Sequence, residues 1–199
     1  MQQAVQTKER SGKHMRITKN LKADQDTIKR FLDALGSGSV VLGKNKLARP
    51  SFFILAHSFI HEYIEQGFFK KQEYLMKALE DAGFPAEGGP IGSIRTDHKK
   101  CRDAAELLIN ASKQWQDGDE VARGEVTWAV SEYTSACRQH LDRLKNLIIP
   151  LIEQTFSLEE EHKISEEVNN LVFGTVFKND PGKYIKLIET LEEQLSDWK

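Results

Sequence analysis

Cysteine, long apolar runs and an excess of either charge are all scarce in this 199-residue chain, and each scarcity removes a class of answer. The two cysteines, Cys101 and Cys137, are too few for a disulfide framework. Neither lies in a CxxC or CxxCH motif, which excludes covalent haem attachment of the usual kind. No apolar run approaches the roughly 18–20 residues that cross a bilayer, and the stretch from Met1 to Asn20 lacks the apolar segment of a secretion signal. The expectation is a soluble, cytoplasmic protein with no membrane contact. The 28 Lys and Arg against 30 Asp and Glu provide no cationic field for a nucleic-acid backbone. Strand signals are nearly absent, since Ser39–Leu42 is the one β-branched run and is too short to found a sheet.

What is abundant is helical periodicity. Residues 1–19 are polar with scattered basic groups and are expected to form a flexible N-terminal arm; residues 20–199 are expected to form one helical bundle domain. Leu21, Ile28, Phe31, Leu32 and Leu35 recur at helical steps, and Gly36, Ser37 and Gly38 are expected to stop this first helix. A second helix is predicted over 51–82, capped by Ser51 and ended by Gly83 and Pro85, with Ile54, His57, His61, Ile64, Phe68, Leu75 and Leu79 on one stripe. Pro90 suits the first turn of a third helix reaching about Gln116 and carrying Ile91, Ile94, His98, Cys101, Ala105, Leu108 and Ser112. A fourth helix from about Glu120 presents Val126, Val130, Tyr133, Cys137, His140, Leu144, Leu147 and Leu151, with Pro150 bending or ending it near Ile149. A short helix and a terminal one, from about Lys183 to Trp198, follow as lids, with Asn179-Asp180-Pro181-Gly182 as the clearest break. The fold class is therefore all-α, an antiparallel up-down-up-down four-helix bundle with additional C-terminal helices.

A bundle core needs only aliphatic side chains, so the polar residues on inner stripes carry the information. These are Gln25, His57, His61, Gln72, His98, Cys101 and His140. If His98 stands level with His140 across antiparallel helices, Cys101, three residues later, stands level with Cys137, three residues earlier. Four such groups could offer nitrogen and sulfur donors to zinc or ferrous iron, or the two histidines could clamp a haem iron. Beside this stands the plainer reading, in which the cysteines are small hydrophobes and each buried histidine donates to a neighbouring oxygen. His57, His61 and Glu65, spaced by four, are a second possible transition-metal constellation or a polar helix edge; His14 and His162 read as solvated.

The order of motifs resembles the hemerythrin-like HHE cation-binding family. The likeness is carried by Leu21-Lys22-Ala23-Asp24-Gln25, by Tyr74-Leu75-Met76-Lys77-Ala78-Leu79-Glu80 with Gly83-Phe84-Pro85, and above all by Gly88-Gly89-Pro90-Ile91-Gly92 leading to Asp97-His98 and Arg102. Tyr133, Gln139-His140-Leu141 and Ile148-Ile149-Pro150 resemble the family's fourth-helix signature, and the whole spans roughly residues 20–195. The resemblance implies a four-helix bundle around a non-haem di-iron centre. It maps the family's ligand positions onto Gln25, Phe68, Gln72, His98, His140 and Leu144, of which His98 and His140 keep a ligand residue type.

The sequence therefore leads to a cofactor-binding, hemerythrin-like protein without the ordinary di-iron centre. A single metal, iron or zinc, or a haem is expected on His98 and His140, with Cys101 and Cys137 as further metal donors and Tyr133, Phe68, Gln25 and Gln72 lining the interior. Two alternatives stand: a non-catalytic interaction or scaffold bundle with a protein partner and no cofactor, and an iron-dependent protein handling oxygen, nitric oxide or peroxide. No nucleophile with an adjacent base, phosphate loop or acid pair at a recognisable spacing points to an enzyme.

Overall fold

Apolar side chains three and four residues apart make each long segment amphipathic, and burying those stripes against one another yields the bundle seen in the computed structural model. The structure describes residues 15–44, 47–175 and 182–198. Helix α1 spans Arg16–Leu42. A long second helix is built of α2 (Pro50–Phe59), a wide π-helical stretch, π1 (Ile60–Phe69), and α3 (Lys70–Asp81). Then come α4 (Gly89–Gln116), α5 (Ala122–Arg143), a second π stretch, π2 (Leu144–Ile148), and α6 (Ile149–Thr155). Helices α7 (Leu158–Thr175) and α8 (Lys183–Asp197) complete the described residues, which contain no strand.

Side-chain pairs fix the helix directions. Gly38 of α1 lies against Phe52, Phe31 stacks on Phe59 at 4.3 Å, and Asp24 accepts from the Tyr63 hydroxyl (2.9 Å) and the Lys71 amine (2.8 Å), so α1 and the second helix are antiparallel. Phe53 beside Trp115 and Gln72 beside His98 set α4 antiparallel to that helix. Gln25 donating to the Leu141 carbonyl and Arg138 to Asp33 set α5 antiparallel to α1. The up-down-up-down order follows.

Helix α8 fills the seam between α1 and the second helix. Tyr184 packs on Phe59 and Tyr63, Trp198 on Phe52, and Arg30 forks onto Glu192 at 2.8 and 2.6 Å. At the other end of the seam α7 brings Glu161 to accept from the Ile17 backbone N–H at 2.5 Å. The C-terminal helices thus act as the expected lids, though α7, at 18 residues, is longer than the short helix anticipated.

Several local expectations are corrected. Gly36, Ser37 and Gly38 do not stop the first helix, which continues to Leu42. A Cβ on Gly38 would stand 2.4 Å from the Phe52 ring, so this glycine serves the close approach of two helices and does not end one. The helix also begins earlier, at Arg16, with Met15, Ile17 and Thr18 buried, so the end of the supposed arm belongs to the bundle; residues 1–14 lie outside the described residues. Ser51 is exposed and Arg49 occupies the cap position, while Pro50 opens the helix. Gly83, at φ +99°, ends α3 as expected. Pro150 falls in the first turn of α6, directly after π2, so the break expected near Ile149 is a π-to-α junction. Of the Asn179–Gly182 break, residues 179–181 lie outside the described residues.

The π stretches shift the inner stripe. Each wide turn holds an extra residue, so a 3.6-residue period drifts off the buried face. Phe68 and Phe69 are both buried, His61 is exposed, His57 is half-buried, and Leu147, expected inside, is exposed.

Candidate functional site

Helix α4 delivers His98 and helix α5 delivers His140 to the same height, and both imidazoles are fully buried. Their ring centroids are 5.0 Å apart. From π1, Phe69 stacks on His98 at 4.0 Å and meets His140 edge-on at 5.3 Å, while Phe68 approaches His140 edge-on at 6.1 Å. The two rings therefore sit in an aromatic collar supplied by the wide turns of π1.

His98 is held at both nitrogens. Its Nδ1 lies 2.9 Å from Glu73 Oε1, and its Nε2 lies 2.9 Å from the side-chain amide of Gln72. Burial lowers the His98 pKa, with Glu73 pulling it partly back, while the His98 contact holds the Glu73 carboxyl below the usual range against its partial burial. The pair is thus a neutral imidazole beside a carboxylate. The carboxylate can only accept, so Nδ1 carries the proton and Nε2 is left with a lone pair. That lone pair needs a donor, and the Gln72 amide supplies one when its NH2 is turned toward Nε2. The same turn gives a partner to the amide nitrogen that is otherwise buried without one.

His140 is the opposite case. Among the described residues neither ring nitrogen has a hydrogen-bond partner. Asp97 Oδ2 stands 3.8 Å from Nδ1, too far for a hydrogen bond. Burial pushes the His140 pKa down to about 4, with Asp97 pulling upward, so the ring is neutral at pH 7. Asp97 is itself buried and is held by Arg143, whose Nη1 donates to both carboxylate oxygens at 2.6 and 2.7 Å. Burial alone would raise the Asp97 carboxyl; His140 and the Arg143 guanidinium outweigh it and hold it below the usual range. Each imidazole thus has a carboxylate on its Nδ1 side. This arrangement orients Nε2 of a metal-binding histidine toward its ion.

The remaining sequence candidates are placed as follows. Gln25 is buried on α1 and donates to the Leu141 carbonyl at 3.2 Å, next to His140 in the chain. Cys101 and Cys137 are buried free thiols in contact across α4 and α5, and the Cys137 contact together with burial raises the Cys101 thiol. Tyr133 is buried near these thiols with its hydroxyl unpartnered among the described residues, and burial raises its pKa. Leu144 is buried. His162 is exposed, 3.3 Å from Glu166, and His14 lies outside the described residues. His57 and His61 stand on the outer side of the second helix with ring centroids 6.4 Å apart, away from the His98 pair.

Glu73, Asp97 and Arg143 were missed as site residues by the sequence reading. Their signals were positional: Glu73 follows Gln72, Asp97 precedes His98, and Arg143 lies three residues after His140. Nothing local in the sequence says that these charges turn inward. Among the described residues, no three histidines, cysteines, aspartates or glutamates are grouped so as to hold a metal ion.

A family model for the hemerythrin HHE cation binding domain matches residues 16–152, from the start of α1 into α6, and includes both histidines. Comparison with curated proteins and with solved structures gave no match. The match covers most of the chain and all four bundle helices, and on that ground the chain belongs to the hemerythrin HHE cation-binding family.

Proposed function

We propose that this HHE domain holds a single transition-metal ion, iron or zinc, through Nε2 of His98 and Nε2 of His140. The observation that carries the reading is His140, a fully buried neutral imidazole whose two nitrogens have no hydrogen-bond partner among the described residues, 5.0 Å from a second imidazole whose Nδ1 is already committed to Glu73. A buried polar group without a partner costs about 1–3 kcal/mol, and a bound ion is one way to recover it.

A pair of irons does not fit this lining. Two closely spaced multivalent ions need anionic ligands between them, whereas Gln25, Phe68, Gln72 and Leu144 occupy the positions that the family resemblance assigns to ligands, and none is anionic. Glu73 and Asp97 are carboxylates, but they stand on the Nδ1 sides of the rings. Haem fits less well than a single ion. Phe69 stacks directly on His98 and Gln72 occupies its Nε2, so a macrocycle would have to displace both. An ion needs only the Gln72 amide to turn aside, and its carbonyl oxygen is then a third neutral donor. A bound ion would act as a Lewis acid with open positions for water or a small exogenous ligand. The thiols of Cys101 and Cys137, one turn away along the same helices, form the next layer of the interior.

The test is metal-stripped full-length protein titrated with Co2+ under anaerobic conditions, read by its visible absorption. The expectation is one interior equivalent whose spectrum is lost in both His98→Ala and His140→Ala. A titration with haem is expected to give no Soret shift that depends on either histidine. An unchanged Co2+ spectrum in both folded variants overturns the proposal. So does a histidine-dependent Soret band, which would favour haem. Retention of partner capture with no metal binding at all would favour the scaffold reading.

A further inference from the structure

We propose that His57 and His61, on the outer side of the second helix, form a separate two-imidazole chelate for a divalent transition-metal ion. The pair straddles the junction where α2 passes into π1, between Phe59 and Ile60. The two rings are nearly parallel, with an interplanar angle of 7° and a centroid separation of 6.4 Å. A metal bonded to one nitrogen of each ring at about 2.0–2.1 Å spans centroids roughly 5–6 Å apart. Lone pairs lie in the ring planes, so two parallel rings share an ion only when one turns to aim its nitrogen toward the other's, and His61, whose side chain is 55% exposed, has room to make that turn.

The supporting groups point the same way. Glu65 Oε2 stands 3.2 Å from His61 Nδ1, one turn further along. A carboxylate accepting at Nδ1 is the carboxylate–histidine arrangement that leaves Nε2 of a metal-binding histidine for the ion. His57 is half-buried and lies near Lys113 of α4. Two imidazoles four residues apart make a bidentate site without a third protein ligand, so water completes the sphere. Affinity should follow the usual order for nitrogen donors, with Cu2+ bound more tightly than Ni2+ or Zn2+. Lys113 opposes the ion electrostatically, which suits a site of moderate affinity.

This site is independent of the interior one, and the experiment keeps them apart. Full-length protein carrying His98→Ala and His140→Ala is titrated with Ni2+ and with Cu2+ by calorimetry, beside the same protein carrying His61→Ala in addition. One equivalent is expected in the first, with binding weakened at least tenfold in the second. A His57→Gln variant, which keeps a polar side chain at the half-buried position, is expected to weaken binding to the same degree and guards against loss of fold. If the interior pair cannot be replaced without unfolding, the comparison is made in the wild-type background by counting equivalents. Undiminished binding in both the His61→Ala and His57→Gln proteins overturns the proposal, as does binding lost only with His98 and His140.

Discussion

Replacing His140 by Leu tests the central structural claim, because the sign of the effect depends on whether anything satisfies the ring. In the metal-free protein the substitution removes a buried N–H donor and a buried lone pair that have no partners among the described residues. Leaving such groups unpaired costs about 1–3 kcal/mol each. Against this, the edge-on contacts with Phe68 and Phe69 are lost, about 0.5–1.5 kcal/mol for an aromatic pair, and His98 loses a neighbour at 5.0 Å. Leucine is apolar and of similar bulk, so it leaves little cavity. The net expectation is that His140→Leu stabilises the metal-free protein by roughly 1–3 kcal/mol, or several degrees in Tm for a chain of this size. With metal the order reverses. At a free-ion concentration of 1,000 times Kd, an interior ion adds about 4.1 kcal/mol to the wild type, and the variant gains none of it. Ions bound on the surface stabilise both proteins alike and cancel in the difference. The assay is urea unfolding of the two proteins in EDTA and then in excess Co2+, with the slopes compared to exclude a change in the denatured state. A variant that is less stable than the wild type in EDTA by more than 1 kcal/mol would refute the claim that the ring nitrogens are unsatisfied.

The burial of the two rings also makes stability depend on pH. His98 and His140 are buried and neutral with pKa values below that of the unfolded chain, so the unfolded state takes up protons first as pH falls through about 6.5. Stability is therefore full above that pH and is lost toward pH 4, by about 2 kcal/mol at pH 5 from His140 alone; Glu73 and Asp97, held low, add a loss of the same sign further down. Denaturant midpoints at pH 7 and pH 5 check this, and an unchanged midpoint contradicts it. In α1, Gly36→Ala meets nothing within 4 Å and should stabilise by about 0.5–1 kcal/mol, whereas Gly38→Ala drives a methyl into Phe52 and should cost about 1–3 kcal/mol. Equal effects in thermal unfolding would show that the Phe52 contact does not decide the position.

The long helices and their order are legible in the amino-acid sequence alone, as is the pairing of Cys101 with Cys137 once His98 is set level with His140. Those facts rest on periodicities of three and four residues and on counting along antiparallel neighbours, which are local or nearly local quantities. The Gly-Gly-Pro-Ile to Asp-His stretch also located the start of α4, because Pro90 suits a first helical turn and cannot sit in its middle. What surrounds the two imidazoles emerges only when the helices pack. Glu73 reaches His98 from another helix, and Arg143 neutralises Asp97 across the α4–α5 pair; neither partnership follows from composition, since a charged residue beside an apolar stripe is ordinarily solvated. The π turns that bring Phe68 and Phe69 together onto the rings break the period on which the face assignment of His61 and Leu147 relied. Gly38 shows the same division: propensity marks a glycine as a helix stop, but the approach of the Phe52 ring, known only once two helices are packed, makes it an interior helical residue.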